Sequence, residues 1–460
     1  MSRNLRFDRA FYGRILAVAL PIIIQNGITN FVSMLDNVMV GQVGTIPMSG
    51  VAIVNQLMFV FNLCVFGATA GAGIFTAQFY GSDDSEGVRH TLRFKLIVAL
   101  LLSAAGVAIF MIGGDFLINL YLSGEGNHED VAQTMYYGRQ YLLVMLTGLL
   151  PFSVSNAYSS TLRETGKTTA PMVAGITAVL LNLVLNYILI FGHFGAPALG
   201  VVGAAIATVI SRYVELAVVA IWTHRHPAEN AFIVGVYRSF RIPRDLTRRI
   251  IVKGMPLLVN EFLWSTGMAI MSQCYSTRGL DVVAAYNIAT TINQVSNVIY
   301  LSLCNAVGIL MGQMLGAGMP ADQIRRDNSR MIRMCVLICF LVGGITIVFS
   351  GLFPKLYNTT DSVRAVATGL ICISALMMPV NSYNTAMYFT LRSGGQTFIT
   401  FIFDSGFTWC ICVPVAFCLS RFTRLSILPL FAICVGVEGF KVFVGAYMLK
   451  KGLRIRRIVN

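Results

Sequence analysis

Long apolar segments recur from one end of this 460-residue chain to the other. Each is close to the roughly 20 residues that an α-helix needs to cross a hydrocarbon core about 30 Å thick. Charged residues make up only 12% of the chain, against about 25% in typical soluble domains, and the mean hydropathy is +0.72. Backbone groups in lipid must bond within their own segment, so these runs predict helices. The chain is therefore predicted to be an all-α polytopic membrane protein and not a soluble enzyme.

Charged residues, glycines and prolines divide the apolar runs into twelve predicted transmembrane helices. The spans lie near residues 15–40, 48–78, 94–120, 135–160, 169–191, 197–222, 249–275, 283–313, 331–353, 364–389, 398–419 and 426–449. The first of these runs is too long for the core of a signal peptide. It is expected to be the first span. Since twelve is an even number, both chain ends are expected on the same side of the membrane.

Basic residues give the chain a net charge of +14, but they do not form one cluster. They occupy the N-terminus, alternate loops and the tail, as in Arg3, Arg6, Arg89, Arg93, Arg325, Arg326, Lys451, Arg454 and Arg456. The opposite loop at 121–130 is acidic. This is the positive-inside pattern, which predicts that both termini are cytoplasmic and that the membrane is the inner, or plasma, membrane. No nucleic-acid partner is expected.

Most of the ten cysteines lie inside apolar runs, where small buried thiols are expected and disulfides are not. The five histidines are scattered in or near loops, and no cysteine-histidine cluster has the spacing of a metal site. We therefore expect no metal and no cofactor.

The sequence repeats itself along its length. At a shift of 235 residues the first half matches the second at Pro21 and Pro256, Gly44 and Gly279, Asn62 and Asn297, Gly73 and Gly308, Gln78 and Gln313, and Gly81 and Gly316. At a shift of 229, Thr161-Leu-Arg matches Thr390-Leu-Arg. The pattern predicts two pseudo-symmetric six-helix lobes at 1–222 and 247–460, joined by a cytoplasmic linker at 223–246. Parallel repeats of this kind are typical of transporters that work by alternating access.

An ionisable side chain inside a span costs about 2.5–3.5 kcal/mol on insertion scales, so each one is a candidate functional residue. The predicted spans contain six that stand out: Asp36, Glu215, Glu261, Asp404, Glu438 and Lys441. Glu438 and Lys441 are three residues apart, so they are predicted to pair with each other.

Asp36 is predicted to form an ion-coupling site with Asn182 and Asn186. Asp36 lies five residues before Gly41, in the outer half of the first span, and the two asparagines reach a similar depth on one face of the fifth span. One carboxylate and two amides would form an oxygen-rich pocket for a proton or a small hard cation such as Na+. The alternative is an aspartate that extends to the interface, with asparagines that bond neighbouring helices.

Glu261 is the candidate of the second half, and the repeat aligns it with Asn26. It is predicted to be a second coupling or substrate-binding carboxylate, against the alternative of a helix-packing carboxyl. Asn26 and Asp404 are candidates for the substrate cavity, although Asp404 is close enough to the start of its span to be interfacial.

These features together resemble the multidrug and toxic compound extrusion (MATE) family. The resemblance rests on the two halves, Asp36-Asn-Val-Met-Val-Gly41, Gln-Phe-Tyr-Gly81, Gln-Met-Leu-Gly316 and the two Leu-Arg-x-x-Gly-x-Thr loops. It implies a V-shaped pair of six-helix lobes that acts as a secondary active antiporter for bulky, amphipathic and often cationic compounds. In the family these compounds are exported in exchange for Na+ or H+, by a chain that works as a monomer among membrane lipids.

Two departures from the family bear on the ion. Asp36 and Asn182 occupy family coupling positions, but Asn186 stands where some prokaryotic members carry an aspartate. The acid that one branch has in its tenth span is missing between Met378 and Thr390. The choice between H+ and Na+ therefore stays open at this point.

Two other functions compete with drug export. A flippase for a lipid-linked oligosaccharide or lipid is the main alternative, since related superfamily members share the duplicated bundle. Such a flippase needs a strongly cationic cavity for phosphates, whereas the charges inside these spans are mainly acidic. A membrane enzyme is disfavoured because the sequence contains no recognisable motif for a catalytic nucleophile, a metal or a cofactor.

Overall fold

The computed structural model describes residues 9–122, 128–357, 359–450 and 457–459. The basic residues Arg3, Arg6, Lys451, Arg454 and Arg456, on which part of the orientation prediction rests, lie outside the described residues. Within the described ranges the chain is almost entirely helical and contains no β-strand.

The helices follow one another with short connections. They are α1 (Arg9–Gly41), α2 (Thr45–Gly81), α3 (Ser85–Leu122), α4 (His128–Leu146), α5 (Leu149–Glu164), α6 (Thr169–Phe191), α7 (Gly200–Arg225), α8 (Arg244–Ser276), α9 (Leu280–Gly316), α10 (Ala321–Phe349), α11 (Asp361–Ser393), α12 (Thr397–Phe401), α13 (Val413–Phe422), α14 (Ile427–Val437) and α15 (Phe440–Lys450). Two π-helical turns, Ile402–Gly406 and Thr408–Cys412, join α12 to α13.

Helices stand at all twelve predicted positions. In the described part of the chain, ten helical segments are long and apolar enough to cross a membrane, and α4 with α5 passes the same test as a bent pair. The one remaining predicted span, at 249–275, corresponds to α8. This helix has 33 residues but carries more polar side chains than those ten segments. At about 1.5 Å per residue its length exceeds a 30 Å hydrocarbon core.

The predicted span at 135–160 is present but bent. The chain breaks between Leu146 and Leu149, and α4 and α5 meet at an angle of 48°. Gly148 lies in the break, and Pro151 follows in the first turn of α5. Proline lacks an N–H group and clashes with the carbonyl four residues before it, which together with Gly148 favours a break at this point.

The described residues form two compact units. The first-half unit comprises the described residues within 24–76 and 84–251, and the second-half unit comprises those within 1–23, 77–83 and 252–460. The division falls inside α1, two residues after Pro21. One helix therefore contributes to both units, an arrangement that the predicted lobe boundaries did not include.

The start of α1 is part of the core of the second-half unit. Its buried residues Ile15, Val18, Ala19 and Ile22 pack in a cluster with residues of α9 such as Leu303. Their spacing of three and four residues places them on one helical face. The apolar stripe of α1 is thus buried by the half of the chain that is most distant in sequence.

Repeat-related glycines share the same backbone conformation. Gly44 and Gly279, one residue before α2 and α9, have φ angles of +136° and +116°. Gly166 and Gly395, in the two Leu-Arg-x-x-Gly-x-Thr loops, have φ angles of +79° and +72°. Positive φ is open to glycine at little cost because it has no Cβ. The sequence repeat therefore extends to the geometry of its turns.

The paired Gln-x-x-Gly motifs contact each other within the second-half unit. A Cβ on Gly81 would collide with the carbonyl oxygen of Gln313, and a Cβ on Gly316 would collide with that of Gln78. Gln78 is fully buried, and its Nε2 donates to the Ser393 carbonyl at 2.9 Å. The close approach of the two helix ends explains why both motifs end in glycine.

Gly316→Ala is expected to destabilise the protein by about 1–3 kcal/mol, because the methyl group overpacks this contact. The melting temperature of the purified protein in detergent measures the effect. Gly344→Ala is the matched control, since Gly344 lies in a helix of the same unit with no neighbouring atom within 4 Å of the place where an alanine methyl group would lie. Alanine there should be neutral or slightly stabilising. Equal melting temperatures for the two variants would contradict the close contact.

The predicted linker is docked on the first-half unit. Phe232, Ile233 and Val236 are buried, and Arg93 donates from Nε to the Val236 carbonyl at 2.8 Å. Lys167 Nζ donates to Glu229 Oε2 at 2.7 Å, and this hydrogen bond lowers the pKa of the Glu229 carboxyl. The connection between α7 and α8 is therefore an ordered part of this unit.

Candidate functional site

The three predicted ion-coupling residues of the first half come together. Asn186 Nδ2, on α6, donates to Asp36 Oδ1, on α1, at 2.9 Å. Asn186 is 2% exposed and Asn182 is 7% exposed, so both amides are removed from water. The i, i+4 spacing of the two asparagines places both on the face of α6 that meets Asp36.

Asn182 bridges Asp36 and Thr208, a residue of α7. With its NH2 group toward the carboxylate, Nδ2 lies 2.8 Å from Asp36 Oδ2, and Oδ1 lies 3.3 Å from Thr208 Oγ1. The opposite amide orientation would place two oxygens face to face unless a cation lay between them. The side chain can therefore serve a bare carboxylate or a bound cation by turning over.

One hydrogen-bond acceptor at this site has no donor. Asn186 Oδ1 is buried and has no hydrogen-bond partner among the described residues. A buried carbonyl oxygen without a donor costs free energy, and such groups mark places where a water or an ion can bind. Asp36, Asn182, Asn186 and Thr208 thus provide an oxygen-rich site with one negative charge.

Sequence reasoning missed Thr208. It lies in the apolar first part of α7, one turn before Arg212, and threonines are common in such helices. Its hydroxyl donates to the Ala204 carbonyl in its own helix at 3.0 Å. Only the packing of α7 against α6 shows that this hydroxyl faces the site.

A second cluster of polar side chains lies in the second-half unit. Tyr388 donates from its hydroxyl to Glu261 Oε1 at 3.3 Å. Asn260, which is 1% exposed, donates from Nδ2 to Asp404 Oδ2 at 3.0 Å. Glu261 follows Asn260 directly on α8 and so lies next to the contact between Asn260 and Asp404. Glu261 and Asp404, predicted from separate spans, therefore belong to one neighbourhood.

The predicted ion pair between Glu438 and Lys441 is wrong. Lys441 Nζ instead faces Asp404 Oδ1 at 3.4 Å. The backbone turns at Glu438 and Gly439, between α14 and α15, so the two side chains no longer sit one turn apart on a continuous helix. Lys441 reaches across to the neighbouring span.

Asp404 lies in the first of the two π-helical turns. The prediction treated this span as regular, but π-turns widen the helix and often occur at functional sites. Ser405, the next residue, donates from Oγ to Asn260 Oδ1 at 2.7 Å. The turn thereby directs two successive polar residues toward α8.

The two halves differ at repeat-related positions. A shift of 235 places Gln25 on Asn260, and a shift of 229 places Gly175 on Asp404. In the first-half unit a Cβ on Gly175 would collide with the amide of Gln25, whose Oε1 accepts from Arg163 at 2.8 Å. The space that Asp404 occupies in one half is thus filled by a longer amide in the other.

Asn26, the other cavity candidate, is partly buried on α1. It lies ten residues before Asp36, or about 15 Å along the helix. Asn26 is therefore separate from the Asp36 site, and a role in substrate binding stays a prediction.

The first-half unit contains a buried ion pair that the sequence analysis did not predict. Lys95, on α3, is fully buried, and its Nζ lies 2.5 Å from Glu164 Oε2 at the end of α5. Nζ also donates to Ser160 Oγ at 3.0 Å and to Thr161 Oγ1 at 3.2 Å. The predicted start of the third span at 94 made Lys95 look interfacial, but α3 begins at Ser85.

The described residues contain no group of three or more histidine, cysteine, aspartate or glutamate side chains that could hold a metal ion. All ten cysteines are free, and six of them are buried. Cys410 and Cys418 are exposed, which differs from the expectation of buried thiols because their helix also presents an outer face.

Similarity to known proteins covers most of the chain. The sequence model of the MatE family matches residues 21–188 and 256–417. A "Probable multidrug resistance protein NorM" of Thermotoga maritima is 25% identical over 421 residues, which is 90% of this chain and 87% of that protein. "Multidrug resistance protein PmpM" of Pseudomonas aeruginosa is 25% identical over 426 residues, covering 91% and 86%.

Solved structures share the fold. A multidrug resistance MATE family transporter in an outward-facing conformation superimposes with a TM-score of 0.84 at 19% identity, covering 96% of this chain and 95% of that chain. A MATE structure in the straight conformation also gives 0.84, at 20% identity and the same coverage. These similarities confirm the all-α fold class with twelve transmembrane helices.

Proposed function

The chain belongs to the MatE family of multidrug efflux transporters, and we propose that it works as a secondary active antiporter. It exports amphipathic, often cationic drugs or toxic organic compounds in exchange for H+ or Na+. It is not an enzyme and needs no cofactor beyond the coupling ion. In this proposal it acts as a monomer among membrane lipids, with both termini cytoplasmic and lobes at 1–222 and 247–460.

The group formed by Asp36, Asn182 and Asn186 is the observation that supports this function most strongly. A carboxylate inside a membrane helix is costly unless it has partners, and here two buried amides donate to it. A helix-packing role does not require a free acceptor, yet Asn186 Oδ1 has none of the described groups bonded to it. We therefore assign the site to ion coupling.

Both candidate ions fit the chemistry of this site. A proton can neutralise Asp36 while the amides keep their present orientation. Na+ prefers oxygen ligands, and turning the Asn182 amide would direct its Oδ1 to an ion at Asp36. The single carboxylate limits the site to one positive charge in either case.

Pro21 provides the step between ion binding and transport in this proposal. It interrupts the hydrogen bonding of α1 fifteen residues before Asp36, at the place where the helix passes from one compact unit to the other. An ion taken up from outside at Asp36 bends α1 near Pro21 and lowers the affinity for drug. Reopening to the inside then releases the ion.

Cationic cargo is favoured by the charge of the candidate cavity residues. Glu261 and Asp404 are acidic, and the relatives carry names of multidrug resistance proteins. A flippase for lipid-linked phosphates receives no support from these relatives. Asn26, Glu261 and Asp404 are the residues proposed to face the drug or to assist coupling.

Transport by purified protein in liposomes tests the proposal. Liposomes loaded with ethidium are given an inward gradient of Na+ or of H+, one at a time, with protein-free liposomes as the control. Release driven by one gradient identifies the coupling ion. Equal release with and without any gradient would contradict antiport, because a coupled carrier moves drug only against an ion flux.

A further inference from the structure

Lys441 is a positive charge buried in the second-half unit. The residue is only 4% exposed, and its ammonium lies 5.2 Å from the centre of the Phe407 ring. An aromatic face attracts a cation at this distance, and a buried ammonium needs such partners. The proposed transport cycle gives this side chain no role.

The carboxylate that pairs with Lys441 is that of Asp404, on the neighbouring span. Asp404 Oδ1 is 3.4 Å from Nζ, and Glu438 lies three residues before Lys441, with its backbone carbonyl accepting from the Lys441 N–H at 3.1 Å. A charge-assisted hydrogen bond is normally about 2.7–2.9 Å long, so the ammonium stands back from Asp404. Ammonium and carboxylate are thus held in place by their helices and do not make a tight pair.

A buried amide on the neighbouring helix bonds to the turn before α15. Asn384, on α11, is 7% exposed and donates from Nδ2 to the Glu438 carbonyl at 3.0 Å. Its Oδ1 is buried without a hydrogen-bond partner among the described residues. Carboxylate oxygens, an amide oxygen and an aromatic face are together what a small monovalent cation binds.

The first half shows that the fold does not require this arrangement. At the position related to Asp404 it has Gly175, and Gln25 fills the space. The shift of 229 also places Arg212 on Lys441, so both halves have a basic residue there and only the second half adds the carboxylate of Asp404.

We propose that Asp404, Glu438 and Asn384 form a site for a small monovalent cation, and that the Lys441 ammonium occupies it as a tethered counterion. The second-half unit then needs no mobile ion. This goes beyond the proposed function, which concerns the Asp36 site, and it stands even if that site is not the coupling site.

Removal of the ammonium tests the proposal. Lys441→Met keeps the length of the side chain but leaves the site without its cation, so Na+ from solution is expected to bind. The variant is made with Asp36→Asn, which removes the carboxylate of the first-half site. Melting temperature is measured in NaCl and in choline chloride at equal concentration, since choline is too large for the site.

We expect Na+ to raise the melting temperature of this double variant by about 4 °C, as ligand binding to the folded state does. Fluorescence of Trp409 should change in parallel, because it lies five residues from Asp404 and donates to the Leu263 carbonyl at 2.8 Å. Asp36→Asn alone should not respond. Adding Asp404→Asn should abolish the response, and the exposed Lys355, changed to Met, should not create one.

If the Lys441→Met variant has a lower melting temperature that is the same in Na+ and in choline, the proposal is overturned and the contact is an ordinary structural ion pair. The proposal would also be overturned if Na+ raised the melting temperature of a protein that keeps Lys441 and this rise was lost on Asp404→Asn. If Lys441→Met cannot be purified in choline, its recovery in Na+ becomes the readout. Recovery in Na+ only is the expected result, and failure in both salts counts against the site.

Discussion

Asp36→Asn is expected to reduce drug export about tenfold or more, within the ~5–150-fold range of typical coupling energies. Asparagine keeps the shape of the side chain and its contact with Asn186, now 2.9 Å from the carboxylate oxygen. It cannot take up a proton and offers no negative charge to Na+. An ion that no longer distinguishes two states of the protein cannot drive transport between them.

Ethidium efflux from cells that lack other pumps measures this effect at matched expression. Asp115→Asn is the control, because Asp115 forms an exposed ion pair with Arg139 at 3.3 Å. Such surface pairs contribute about 0–1 kcal/mol, so export should be unchanged. Export by Asp36→Asn at the rate of the unmodified protein would show that coupling occurs elsewhere.

Lys95→Met is expected to lower the stability of the protein by about 3–5 kcal/mol, the usual cost of breaking a buried ion pair. The substitution leaves Glu164 with a charge and without its closest cation. Gly73 packs so tightly against Glu164 that a Cβ there would collide with the carboxylate, so the side chain has little room to turn toward water. The melting temperature and the fraction of monodisperse protein measure the loss.

The double variant Lys95→Met with Glu164→Gln separates charge from packing. With both charges gone, most of the lost stability should return, because a neutral pair of similar volume avoids the desolvation of a carboxylate that has lost its closest cation. If the double variant melts no higher than Lys95→Met, the defect comes from lost packing around Ser160 and Thr161. That result would contradict a dominant role for the charge of Glu164.

Part of the candidate site was predictable because it follows local spacing. Asn182 and Asn186 are four residues apart in an apolar helix, which puts both amides on one face. Their depth and that of Asp36 follow from the rise of about 1.5 Å per residue. The partner on the third helix, Thr208, left no trace in the sequence, because a threonine in an apolar helix usually bonds to its own backbone.

The interior of the second half was less predictable for a related reason. Glu438 and Lys441 are near in sequence, but the turn at Glu438 and Gly439 changes where Lys441 points. The π-helical turns that present Asp404 to Asn260 also follow no simple periodicity. Pairings across spans depend on the local geometry of both helices, which hydropathy does not encode.

The sequence by itself determined the membrane as the solvent, the number and order of the spans, and the duplication of the chain. These follow from segment length and apolar composition, since lipid requires each crossing to satisfy its own backbone. Only the tertiary structure decided that the start of α1 packs with the second half, that Lys95 meets Glu164, and that Lys441 meets Asp404. Such contacts join residues that are distant along the chain, and their energies depend on which helix faces come together.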